Sequence, residues 1–189
     1  WYHICATYDS SANTEKVYID GTQVYSVSQT TNYTGVTSAR VGQARTDSST
    51  LAGSPQGEGI FRDFHVIGNA AVAPASGGSP KVVLQSGSVL LLFSVGSIRD
   101  ISTSGCTISY ANSSNVEILL DTPYDYKGYD AALHGGSAFF NGSSHNNKIS
   151  VDPASTSDFD FGTNPFTINF WAYVNDNSST SALFSTDET

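Results

Sequence analysis

Along this chain short runs of β-branched and aromatic residues recur, separated by polar clusters of Gly, Asn, Asp and Ser. Runs of this kind with such punctuation are the pattern of β-strands, and no stretch shows the 3.6-residue period of a helix. The pattern predicts strands over 1–8, 16–19, 22–26, 36–43, 59–67, 81–84, 88–94, 106–110, 116–120, 137–140, 148–151, 166–174 and 182–185. Asp20-Gly21 lies between the second and third of these. That pair suits a type I′ hairpin, because both central residues must tolerate positive φ. Asn141-Gly142 has the same composition and predicts a second tight turn. The expected long loops are 9–15 and 47–58, and the small, uncharged, proline-broken stretch GNAAVAPASGGSP over 68–80 reads as a linker. The most apolar run, Val89 to Phe93, has the length of a buried strand and not of a membrane span.

Composition narrows the setting. Charged residues make up 13% of the chain, about half the usual share for soluble domains. Two Trp, ten Tyr and ten Phe argue against disorder, which goes with few aromatics and dense charge. Lys and Arg number 8 against 17 Asp and Glu, so the chain carries a net charge of −9 and has no basic cluster. Binding to nucleic acid depends on neutralising phosphates and is not expected. Cys5 and Cys106 are far apart and form no metal-ligand spacing. They read first as two small buried hydrophobes, with a disulfide left open. The chain lacks methionine and opens on Trp1, which suggests a segment of a longer polypeptide that starts and stops inside structural units.

The residues around the two tryptophans carry a family resemblance. WYHICATYD, KVYIDGTQV, VGQ and GIFRDFHVIG, in that order, resemble the second half of a laminin G-like, concanavalin A-like unit. HGGSAFFNGSS, FDFGTNPFTINFWAYV and SALFS resemble the first half. The order is inverted relative to a complete unit. The resemblance therefore implies an all-β, concanavalin A-like (laminin G-like) antiparallel jelly-roll β-sandwich in permuted or half-plus-half order. Residues 1–75 would be the C-terminal half of one unit, 76–87 a linker and 88–189 the N-terminal half of the next. Two arrangements are open: the halves close on each other, with the missing strands leaving a gap, or each is completed by strand addition from a neighbouring copy. Tandem units joined by a phrase such as SVLLLFSVGSIRD are similar to repeats in tail-fibre-like virion proteins of marine bacteriophages. The resemblance implies a non-catalytic structural or adhesive module at a virion surface or outside the cell. Its expected partners are neighbouring copies or adjacent repeats of the same polypeptide and cell-surface glycans, with no nucleic acid and no membrane span. The alternatives are a carbohydrate-binding lectin domain and an extracellular filament subunit of a bacterium or archaeon.

Candidate chemistry is sparse. Jelly-roll glucanases place two carboxylates on one strand, but Glu15, Glu58, Glu117 and Glu188 each lack a carboxylate two residues on. No nucleophile elbow, P-loop, dinucleotide fingerprint or zinc-protease motif occurs. The reading is that the chain is not an enzyme. His3, His65, His134 and His145 are scattered and read as structural or surface residues. Calcium at a loop rim is weighed through Asp152, Asp158, Asp160 and Asp176, but Asp abounds in turns for conformational reasons, and no metal or other cofactor is assigned. Glycan binding needs an aromatic face beside planar polar groups. Tyr124, Tyr126 and Tyr129, interleaved with Asp125, Lys127 and Asp130, have that composition and are the candidate carbohydrate-binding residues. In the resembled family this segment is a crossing that packs on a sheet, which gives them a structural reading too. Trp1 and Trp171 read as core aromatics from their strand context.

Overall fold

In a computed structural model of the chain, residues 1–30, 32–42, 58–74, 84–95, 97–110, 116–120, 123, 136–141, 148–155, 157–175 and 184–188 are described, with 93–95 and 187–188 as backbone alone. Among them every regular element is a strand: β1 (Tyr2–Asp9), β2 (Thr14–Ile19), β3 (Thr22–Ser28), β4 (Val36–Val41), β5 (Glu58–Gly68), β6 (Ser88–Val95), β7 (Ser97–Asp100), β8 (Thr107–Tyr110), β9 (Val116–Leu119), β10 (Ser137–Asn141), β11 (Ile149–Asp152), β12 (Phe166–Val174) and β13 (Phe184–Glu188). The larger sheet runs β3-β2-β1-β12-β5-β10-β9, with β6 and then β7 branching from β5, and the smaller runs β13-β4-β11-β8. All pairings are antiparallel. The sheets are open: among the described residues β3, β9 and β7 end the larger one, and β13 and β8 the smaller.

The expected turn at Asp20-Gly21 is present, with φ of 49° and 77°. Asp20 is also tied back to β1, accepting the His3 N–H on its carboxylate at 2.8 Å and donating its own N–H to the His3 carbonyl at 2.9 Å. From this hairpin the sheet continues into a strand remote in sequence. β1 pairs β12 from Tyr2↔Ala172 to Tyr8↔Phe166 without a register shift. The WYHICATY and FTINFWAYV blocks therefore lie side by side within one chain. The two motif blocks also meet through β5 with β12, β10 and β6, and through β4 with β11 and β13.

The core lies between the sheets, and strand alternation explains who enters it. On β12, Phe166, Ile168, Phe170 and Ala172 face the core, while Val36, Ala39 and Val41 of β4 and Ile149 and Val151 of β11 face them from the smaller sheet. On β5, Phe61 and Phe64 are both core residues although an odd spacing puts them on opposite faces of a regular strand. A bulge resolves this: Asn169 pairs His65 but Trp171 pairs Arg62, so β5 carries one extra residue, and Asp63 takes φ of 51° there. The Arg62 guanidinium reaches the Asp63 carboxylate at 3.3 Å across the bulge.

The same alternation corrects the reading of the tryptophans. Trp171 sits between Phe170 and Ala172, which take the core face, so it is left on the opposite face, half-buried and edge-on to His3 at 5.2 Å. Trp1 is half-buried as well and meets Tyr173 edge-on at 6.1 Å. Three other differences concern strands. β7 is an added strand pairing β6, and Leu84 is not in a strand. The last strand runs on past the expected Ser185 through Thr186–Glu188, held against β4. Gly142 of the expected Asn141-Gly142 turn, 47–57 of the expected 47–58 loop, 81–83 of the expected 81–84 strand and most of the 76–87 linker lie outside the described residues. Ahead of that linker, Val72 donates its N–H to the Thr167 hydroxyl at 2.7 Å, and that hydroxyl donates to the Ala70 carbonyl at 2.8 Å, so 70–72 is docked along β12.

Gly42, just after β4, is required twice over. Its φ is +85°, and a Cβ there would fall inside contact distance of the fully buried Phe140 ring. Gly42→Ala is expected to cost about 2–4 kcal/mol, the left-handed penalty plus overpacking. Gly105, at φ +67° with open space around it, isolates the first effect, and Gly105→Ala should cost only about 1–2 kcal/mol. Urea denaturation of the two variants checks this; equal losses would show that the Phe140 ring yields without cost.

Candidate functional site

Among the described residues a cleft of about 310 Å³ opens beside β3. Its floor is the core-facing side of β1, β2, β3 and β12, through Ala6, Val17, Tyr25 and Ile168, and one wall is β13 through Phe184 to Thr186. The other wall is aromatic. Phe161 stacks on Phe166 at 4.8 Å and 18°, and Tyr33 meets Phe166 edge-on at 5.1 Å. Two backbone hydrogen bonds between Tyr33 and Gly162, of 2.9 and 2.8 Å, bring these distant segments together. The Tyr33 hydroxyl donates to the Glu15 carboxylate at 2.9 Å, and Lys16 stands beside it. Tyr25, on the strand β3 that ends the larger sheet among the described residues, is 53% exposed. A lining of this kind buries apolar side chains or rings, with Glu15 and Lys16 supplying its charge.

The opposite face of the larger sheet holds a second cluster, which is polar and buried. Cys5, Asn169, His65 and Leu91 lie in one cross-strand row over β1, β12, β5 and β6. His65 is fully buried, with one ring nitrogen at 2.7 Å from the Ser88 hydroxyl and Nδ1 without a hydrogen-bond partner. Burial lowers its pKa to about 4, against the opposing field of Asp100. His3 is also fully buried, with neither ring nitrogen hydrogen-bonded, and burial lowers its pKa while Asp20 and Asn169 oppose the shift. Both cysteines are buried free thiols, in keeping with the small-hydrophobe reading. Burial pushes each up to about 12, with Asp100 adding to the effect at Cys106. Thiols held in the neutral form are poor nucleophiles.

The expected site residues fare unevenly. Tyr124, Tyr126 and Tyr129, like Asp176, His134 and His145, lie outside the described residues. Asp152 ends β11 and is exposed, as is Asp160. Asp158 accepts the Ser155 N–H at 3.0 Å and the Ser104 hydroxyl at 3.4 Å, the work of a turn residue. Among the described residues no three His, Cys, Asp or Glu side chains are grouped to hold a metal ion, and no helix is long and apolar enough to cross a membrane. Sequence reasoning overlooked Asp100. Its carboxylate accepts from the N–H groups of Leu91, Ser102 and Cys106 at 2.8 to 2.9 Å and from the Ser102 hydroxyl at 2.7 Å, fastening β6 to the turn after β7. The Asp-Ile-Ser spacing was the available signal, since Asp caps its own backbone two residues on.

The fold and cleft together define an all-β protein of two open antiparallel sheets with an apolar gap at one end. In comparisons with family models, curated proteins and solved structures, nothing matches the chain.

Proposed function

We propose that this chain is a structural and adhesive module, non-catalytic, from a tandem-repeat fibre or surface appendage such as a virion tail fibre. The observation that supports this is the in-register pairing of β1 with β12. It joins the block resembling the end of one laminin G-like unit to the block resembling the start of another, so one repeat period read in a shifted frame makes a shared sheet. Successive copies in a tandem polypeptide then form a stiff series of sandwiches, and weak contacts from loops add through multivalency. The setting is a virion surface or extracellular, and the partners are adjacent repeats and cell-surface glycans.

Proteins carrying one, two and three tandem copies test the proposal by small-angle scattering and a glycan array. The expected result is a rod whose length grows in equal steps, with weak glycan binding that strengthens with copy number. Flexible, unlinked beads would overturn it. Saturable, sugar-specific binding by the single copy, lost in Tyr124→Ala or Tyr126→Ala, would replace it with the lectin reading.

A further inference from the structure

Strand β3 ends the larger sheet, and among the described residues it pairs only with β2. Such an edge presents unpaired N–H and C=O groups, and proteins that stay single guard it with charge, proline or a short length. β3 has seven residues, TQVYSVS, none charged and none proline, with Val24 and Tyr25 exposed at 55% and 53%. The uncharged stretch extends from Gly21 to Ala39, in a chain whose net charge is −9. A second copy approaching any acidic surface meets like charge, whereas at β3 it meets none. One guard is present: the register shift between Val17 and Tyr18 makes Val24 a bulge residue, which confines the regular part of the edge to Tyr25–Ser28. The other edges of the same sheet are better protected, because β9 has four residues and carries the exposed Glu117, and β7 has four and carries Arg99 and Asp100.

We propose that two copies of this chain join edge to edge through Tyr25–Ser28 of β3, antiparallel across a twofold axis, to make one continuous sheet. An identical uncharged strand is self-complementary, so the interface closes at two copies and leaves no further β3 edge. The twofold of an antiparallel pair stands perpendicular to the sheet, so the Tyr25 side chains of both copies lie on the same face and the two apolar clefts open toward each other. The dimer does not depend on the module reading, since a lectin would be joined in the same way.

Sedimentation of the chain at rising concentration and cysteine trapping test the interface. The chain is expected to pass from monomer to dimer and no further, and Ser26→Cys or Ser28→Cys to give disulfide-linked dimers under mild oxidation that the parent, with both thiols buried, does not give. Val27→Lys should abolish dimerisation while its far-UV circular dichroism and melting remain those of the parent monomer. Should that variant unfold, Ser26→Lys, at an exposed position, is the second reading of the same loss. A chain that is monomeric at all concentrations overturns the proposal. So does open-ended polymerisation trapped between Ser26→Cys and Leu120→Cys, which would mean pairing of β3 with the β9 end.

Discussion

Phe64→Ala is expected to lower the folding free energy by about 3–5 kcal/mol, the usual cost of emptying a buried aromatic site. Phe64 is 2% exposed and stacks on Phe170 at 5.0 Å and on Phe184 at 5.3 Å. It is thus held between β12 of the larger sheet and β13 of the smaller, and its loss opens a cavity where the two layers are joined. The bulge at Asp63 sets the phase of Phe64 and holds β5 in place, which opposes local collapse into the space. In a domain of this size the melting temperature should fall by roughly 10 °C. Leu120→Ala, at a position 74% exposed, should stay within about 0.5 kcal/mol of the parent. Thermal and urea denaturation of both variants check the contrast, and a Phe64→Ala loss below about 1 kcal/mol would show that the sheets are not clamped through this ring.

The second large effect is loss of stability in mild acid. The pKa of His65 is lowered in the folded chain to about 4 from the ordinary 6.5. Between these values the unfolded chain binds a proton that the folded chain does not, so stability falls as pH drops through the window and is fully present above it. The shift corresponds to about 3 kcal/mol lost by pH 4. His3 moves in the same direction and adds to the slope. Asp9 does not confuse the measurement: hydrogen bonds from Ser11 and Ala12 hold its carboxyl below the ordinary 3.8, so its contribution is lost only at lower pH. Urea midpoints should stay level from pH 7.5 down to about 6.5 and then decline toward pH 4 in the parent, and decline more shallowly in His65→Gln, whose side chain stays neutral. Parallel declines in the two proteins would assign the acid sensitivity to other groups.

Much of the strand layout was legible because a run of β-branched and aromatic residues between turn formers is a local property. β1, β2, β3, β5 and β12 fall within two residues of their expected bounds, and Asp20-Gly21 forms its turn because few other residue pairs accept positive φ in succession. β7 escaped notice because Ser97–Asp100 holds a single buried residue, Ile98, and is made a strand only by pairing with β6. The tryptophans were misplaced for a related reason. Alternation assigns Trp171 to the face opposite Phe170, but it does not say which face looks onto the core. The cleft was illegible for a stronger reason: Val17, Tyr25, Tyr33, Phe161 and Phe184 come from five separate stretches, and no local pattern joins them.

By itself, the sequence determined an all-β chain, the positions of most strands and the uncharged character of β3, since each follows from residues a few positions apart. Tertiary structure alone decided that β1 lies against β12, that His3 and His65 are buried, and that among the described residues β3 ends its sheet and lines the cleft. Those outcomes depend on which strand faces which across more than a hundred residues, as with Tyr8 and Phe166. Backbone hydrogen bonds make any such pairing available, and only the joint burial of both sheets' apolar faces selects one.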